Sequence, residues 1–352
     1  MKYNRLGDTG LFVSEICLGA MTFGSDVDAG IWTKLGVGGQ SEVDAIIRRS
    51  LDVGVNFIDT ADTYAAGGSE TRLGRGLKNL GIARQDVVIA TKVFGVVGNG
   101  PNDRGASRGH IMDGVKASLD RLQTDHIDLY QIHHEDRITP LDETMRALDD
   151  LVRMGMVRYV GVSNWPAWKI AKANGLAEAR GHARINSLQA YYSIAGRDLE
   201  REMGPMMLAE KVALMVWSPL AAGLLSGKFG PGAANPEDAR RSMVDYPPVD
   251  RDRAWACIAA MREIGDAHNA SVARVALAWL LAQPVVTSVI IGAKTVAQLD
   301  DNLAAADLRL GAEEMKRLDE VSALPPEYPG WVWAQQDVAR MPQHFLTGEK
   351  TG

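Results

Sequence analysis

Cysteine is scarce in this chain of 352 residues, where only Cys17 and Cys257 occur. Both stand in apolar sequence, so two buried free thiols in a reducing compartment are expected rather than a disulfide framework. No His/Cys spacing suggests a metal site. Excess positive charge is also missing: 38 Lys and Arg against 44 Asp and Glu leave a net charge of -6, which argues against a nucleic-acid footprint. No apolar run approaches the ~18 residues of a membrane span, and residues 1–5 (MKYNR) lack the apolar core of a secretory signal. A cytoplasmic protein without membrane or nucleic-acid partners is expected. The G-x-G-x-x-G fingerprint of a dinucleotide-binding turn follows no strand-like run, and the glycine run at 36–39 (GVGG) lies in loop-like sequence.

What the chain does have is a repeat. Short apolar, β-branched runs ending in polar residues occur at 15–19 (EICLG), 55–59 (VNFID), 87–92 (VVIATK), 127–133 (IDLYQIH), 158–164 (RYVGVSN), 186–189 (NSLQ), 212–218 (VALMVWS) and 287–292 (TSVIIG). Runs without alternation suit strands covered on both faces, as in parallel sheets. Helical patterns fill the intervals at 41–53, 108–122, 165–179, 252–267, 271–283 and 295–306. Another begins at Thr139-Pro140, a cap with a helix-starting proline, and carries Leu141, Met145, Leu148 and Val152 at helical spacing up to Gly155. Eight strands alternating with helices predict a closed (β/α)8 barrel spanning 1–352 as one domain. Residues 1–13 read as a hairpin across one end, 219–250 as a long connection after the seventh strand, and 324–352 as an irregular tail rich in proline and tryptophan.

Active sites in such barrels gather at the C-terminal ends of the strands. Those ends carry Asp59, Lys92, His133, Ser163 and Asn164, Gln189, Trp217 and Ser218, and Gly292 with Lys294. Any one of them taken alone reads equally well as a strand-end cap meeting water. A polar ring on seven of eight strands strains that explanation.

The motif Asp59-Thr60-Ala61-Asp62-Thr63-Tyr64, Lys92 after its strand, and Asp128-Leu129-Tyr130-Gln131-Ile132-His133 resemble the catalytic set of the aldo-keto reductases. Gly161-Val162-Ser163-Asn164, Gln189, Trp217-Ser218-Pro219-Leu220 with Gly223, and Gly292-Ala293-Lys294 with Gln298 and Asn302 resemble that family's cofactor contacts. The likeness runs over roughly residues 3–322, in the same order at every strand, and is nearer to the microbial and channel-β-subunit-like branches. It implies a catalytic tetrad of Asp59, Tyr64, Lys92 and His133. Carbonyl reduction needs hydride at carbon and a proton at oxygen. The resemblance makes Tyr64 the proton donor, Lys92 the ammonium that stabilises its phenolate, Asp59 the partner that keeps Lys92 charged, and His133 the group that orients the substrate. His133 as the acid stays open, because imidazole titrates near neutrality. His134 is read as flanking loop, turned away by strand alternation.

The resemblance further implies that a nicotinamide dinucleotide lies across the barrel mouth. Trp217 would stack on the nicotinamide while Ser163, Asn164 and Gln189 bond its carboxamide. Ala20, Met21, Ser218, Pro219, Leu220, Gly223, Asp301 and Asn302 complete the implied contacts, and Lys228 would meet the pyrophosphate. Gly292 and Lys294 precede a helix opened by Thr295 and Gln298, a place suited to the 2′-phosphate of NADPH. Thr295 and Gln298 equally form a capping box that needs no ligand. Relatives place an arginine here and this chain has none between residues 275 and 308, so NADH stays open beside NADPH. Met21, Trp32, Phe94, Trp165, Trp331 and Trp333 are the candidates to line a substrate pocket for a small carbonyl compound. Two other readings compete. One is a nicotinamide-binding regulatory subunit with little turnover, against which stands His133, replaced by asparagine in the channel-subunit branch. The other is a barrel isomerase or lyase acting on sugars, which leaves the grouping of Trp217, Gln189 and Asn164 unexplained.

Overall fold

The eight apolar runs become eight parallel strands of one closed barrel. The computed structural model describes residues 1–24, 36, 39–231 and 240–340. The strands are β1 (Tyr3–Arg5), β2 (Phe12–Ser14), β3 (Ile16–Gly19), β4 (Phe57–Asp59), β5 (Val88–Val93), β6 (Ile127–Ile132), β7 (Val157–Ser163), β8 (Ile185–Tyr191), β9 (Ala213–Trp217) and β10 (Val286–Ile291). Strands β3 to β10 pair in chain order and β10 closes onto β3, Ile290 opposite Cys17. Around them run α1 (Gln40–Asp52), α2 (Gly68–Asn79), α3 (Arg108–Leu122), α4 (Leu141–Arg153), α5 (Ala167–Arg180), α6 (Met203–Glu210), α7 (Arg240–Met243), α8 (Arg251–His268), α9 (Val272–Leu281), α10 (Val296–Leu303) and α11 (Ala312–Val321). This is a (β/α)8 barrel, and Met1–Ser322 form one compact unit.

Its core has two parts. Cys17, Phe57, Val88, Leu129, Ala213, Met215 and Ile290 fill the barrel interior together with Leu6 and Val13 of the hairpin. The larger part lies between strands and helices, as where α4 buries Met145, Leu148 and Leu151. Each such aliphatic side chain contributes about 1.5–3 kcal/mol on burial. The β1–β2 hairpin closes the N-terminal end. Ser14 accepts from Ser288 and donates to Asn56 (both 2.8 Å), and Asn4 donates to the Thr287 carbonyl. Gly7 makes the turn at φ +58°, where a Cβ would meet the Asn186 carbonyl at 2.6 Å. With one end plugged, the mouth formed by the C-terminal ends is left for chemistry.

Several expectations change in detail. Helix α2 was not predicted: its sequence, GSETRLGRGLKN, puts glycine where an apolar stripe would be read. Gly74 explains this, since a Cβ there would meet the Leu122 carbonyl at 2.5 Å, so the helix packs by backbone approach. Pro140 occupies the N-cap of α4, and Thr139 instead donates to Asp136 at 2.8 Å. The residues from Ala323 form a second unit. There α12 (Gly330–Arg340) is a helix where the composition suggested an irregular tail, because Pro325, Pro326 and Pro329 all fall before its first turn.

Candidate active site

The mouth gathers the ionisable strand ends into one buried network. Asp59 closes β4 and Lys92 lies one residue before the end of β5, with side chains 4% and 0% exposed. The Lys92 ammonium donates to Asp59 Oδ2 at 2.6 Å, to the Thr60 carbonyl at 2.8 Å and to the Tyr64 hydroxyl at 3.2 Å. It also stands 4.8 Å from the Tyr64 ring centroid. Burial alone would lower the Lys92 pKa, but the charge and hydrogen bonds of Asp59 and the contact with Tyr64 hold it above the ordinary lysine value. Asp59 Oδ1 accepts from Gln189 at 2.9 Å and Gln131 at 3.2 Å, so both lone-pair faces of the carboxylate are engaged. In the sequence Gln131 stands out only as part of the motif 128–133. Its contact with Asp59 spans 72 residues of chain and exists only once the barrel closes.

His133 follows β6, and its ring meets that of Tyr64 edge-on, centroids 5.7 Å apart. Desolvation, then the Lys92 ammonium and His134, push its pKa well below the usual histidine range. The imidazole is therefore neutral at physiological pH, able to donate one hydrogen bond but poorly suited to be the acid. His134 corrects the sequence reading: it lies in the loop as expected, yet its ring stacks on His133 at 4.7 Å with planes 5° apart. Strand β6 has ended at Ile132, so strand alternation no longer separates the two. Phe94 completes the row, edge-on to His134 at 5.5 Å.

The expected cofactor residues form two groups. At the mouth, Asn164 adopts φ +57° and accepts from the Trp217 indole at 3.0 Å, while donating to Ser163 at 3.0 Å. Ser163 donates to the Gln189 carbonyl at 3.0 Å. The Gln189 amide nitrogen donates to Asp59 at 2.9 Å and lies 3.4 Å from the Gln131 side-chain oxygen. Trp217 packs tilted against Tyr191 (5.3 Å) and nearly parallel to Tyr246 (5.9 Å, 12°), a residue of the long connection that no sequence signal singled out. Ala20 is buried and Met21 half-buried in the turn after β3. Ser218, Pro219, Leu220 and Gly223 form the turn after β9, closed by Ser218 accepting from the Ala222 amide; Lys228 is exposed further on.

The second group sits at the start of α10. Thr295 caps the helix by accepting from the Gln298 amide at 3.2 Å, and Gln298 in turn accepts from the Lys294 amide at 2.9 Å. Asn302 donates to the Gly292 carbonyl at 3.5 Å. Asp301 accepts from Arg274 at 2.6 Å and Ser271 at 2.7 Å. Arg274 stands one residue outside the arginine-free stretch, and α9 carries it to α10.

The substrate-side expectations divide. Trp165 is 1% exposed with the Lys169 ammonium 4.9 Å from its ring, so it is largely a packing residue. It borders a cavity of about 700 Å³ beside the mouth, shared with Asn164, Tyr191, Leu199 and Met203. Trp331, 47% exposed, belongs to the second unit, and Trp32 lies outside the described residues.

The mouth of the barrel thus carries a buried carboxylate–ammonium–phenol chain. The model of the Aldo/keto reductase family matches residues 15–323, and the chain belongs to that family. It is 38% identical to a Bacillus subtilis protein named as an uncharacterized oxidoreductase, YrpG, over 94% of this chain and all of that one. It is 36% identical to versiconal hemiacetal acetate reductase of Aspergillus parasiticus, over 94% of this chain and 99% of that one. It is 35% identical to a probable voltage-gated potassium channel subunit beta of Arabidopsis thaliana, over the same shares.

Proposed function

We propose that this protein reduces a small aldehyde or ketone with hydride from NADPH, with Tyr64 delivering the proton. The observation that carries the reading is the continuous buried contact from Asp59 through Lys92 to Tyr64. As the phenol gives up its proton, the ammonium beside it stabilises the phenolate that forms, and Asp59 fixes that ammonium in place. His133, neutral and edge-on to Tyr64, donates a hydrogen bond that aims the carbonyl oxygen at the phenol. The residues also suit the dinucleotide. Trp217 is tied by Asn164 with part of its ring uncovered, Lys294 offers charge at a capped helix start, and Lys228 is an exposed cation in the connection after β9. When bound, the nicotinamide supplies the hydride, and Trp217 gives its ring a fixed plane.

A second reading has the channel-subunit relatives in its favour: a nicotinamide sensor that seldom turns over. The intact pairing of His133 with Tyr64 weighs against it. Loss of NADPH absorbance with a panel of aryl, aliphatic and sugar aldehydes is the test. Consumption with at least one aldehyde supports the reductase, whereas tight binding without consumption supports the sensor.

A further inference from the structure

Behind the tetrad lies a carboxyl group that the reaction as described does not use. Asp62 sits in the loop between β4 and Tyr64, 3% exposed, its amide donating to the Lys92 carbonyl at 3.2 Å. Among the described residues, neither of its carboxyl oxygens has a hydrogen-bond partner. The groups acting on it come from each element packed around the loop. They are Glu70 of α2, Arg121 of α3, Lys92 of β5 and Tyr130 of β6. Glu70 is fully buried but well supplied, accepting from Arg121 at 2.6 Å and from the Thr91 hydroxyl at 2.5 Å. Tyr130 is fully buried too, and its hydroxyl has no hydrogen-bond partner among the described residues.

We propose that Asp62 is a positioning residue that holds a proton behind the active site and, by releasing it, weakens the support Lys92 gives to Tyr64. Two carboxyls in one buried pocket resist sharing two negative charges, and the one to which no side chain donates is the one that keeps the proton. Burial and then the Glu70 charge raise the Asp62 pKa to about 7, against the smaller opposing pull of Arg121, the Thr63 amide and Lys92. While Asp62 is neutral, the Lys92 charge is divided between Asp59 and the phenolate forming on Tyr64. Once Asp62 ionises, a second anion draws on that ammonium and opposes negative charge on Tyr64. The reductive step slows as pH rises through neutrality. Asp62 touches neither substrate nor nicotinamide and acts only through its neighbours.

The proposal rests on Tyr64 being the proton donor, so its test has two arms. In the first, single-turnover reduction of benzaldehyde by the NADPH-loaded protein is followed from about pH 6 to about pH 9. The wild-type rate falls roughly tenfold across a limb centred near neutrality, the size of one unit of coupling, and Asp62→Asn lacks that limb. A limb unchanged in Asp62→Asn overturns the proposal, as does a wild-type rate that is flat across this range. In the second arm, the protein is labelled with aspartate carrying ¹³C in the carboxyl group. One carboxyl resonance titrates near pH 7 and is missing from Asp62→Asn; titration of Asp62 in the ordinary carboxylate range overturns the proposal. The second arm needs no turnover. If hydride transfer fails with every carbonyl compound, the reaction reading falls, and the carboxyl titration by itself decides whether Asp62 holds the proton.

Discussion

Removing the Lys92 ammonium should cost stability as well as catalysis. Lys92→Met keeps the side-chain volume nearly constant but leaves Asp59 Oδ2 without its 2.6 Å partner in a pocket where the carboxylate is 4% exposed. Breaking one side of a buried ion pair costs about 3–5 kcal/mol. Gln131 and Gln189 still hold Oδ1, which places this case at the lower end, about 3 kcal/mol. Asp59→Asn alone should also destabilise, since it strands a buried ammonium. The double variant carries neither orphaned charge, so the two losses should fall short of additivity by about 2 kcal/mol. Urea unfolding of the four proteins, with unchanged m-values, measures the cycle. Losses that add to within about 0.5 kcal/mol would refute the coupling.

Other consequences can be checked alongside. Lys294→Ala should weaken NADPH more than NADH, measured by fluorescence titration; equal losses would sink the 2′-phosphate assignment. Trp217→Ala should weaken binding of reduced nicotinamide by roughly tenfold, and unchanged affinity would remove the indole as the ring platform. Asp136 governs an acid limb. Burial alone would raise its pKa, but the amides of Thr139, Ala106 and Ile138 and the Thr139 hydroxyl hold it at about 2. Its folded pKa is thus depressed below the ordinary 3.8, so its contribution of about 2 kcal/mol is present above pH ~4 and lost as pH falls toward about 2. Thermal melts of Asp136→Asn should show little of that acid-linked loss.

The strands were legible because each is a local event, a short apolar run, seven of the eight with polar residues at their ends, and eight such runs in order define a barrel. What stayed hidden depends on closure. Gln131 and Gln189 meet on Asp59 across 72 and 130 residues of chain, and no spacing announces that. His134 lies in the loop as its position implies, but strand alternation does not extend past Ile132, so its ring stacks on His133 instead of diverging from it. Helix α2 escaped because its packing face is glycine, which carries no hydropathy signal. Trp165 borders the cavity beside the mouth, but its 1% exposure, set by the helix and loop that cover the ring, is not readable from its position in the sequence. Arg274 was passed over because a window of sequence cannot see what the preceding helix delivers.

The central claim, that Tyr64 supplies the proton, is met most directly by Tyr64→Phe. NADPH affinity and NADPH consumption are measured on the same sample with the best aldehyde. The account predicts nearly unchanged affinity with turnover reduced by about 10²–10⁴-fold, the usual worth of a placed acid. Turnover retained within a few-fold of wild type would contradict it and return His133 to consideration as the acid.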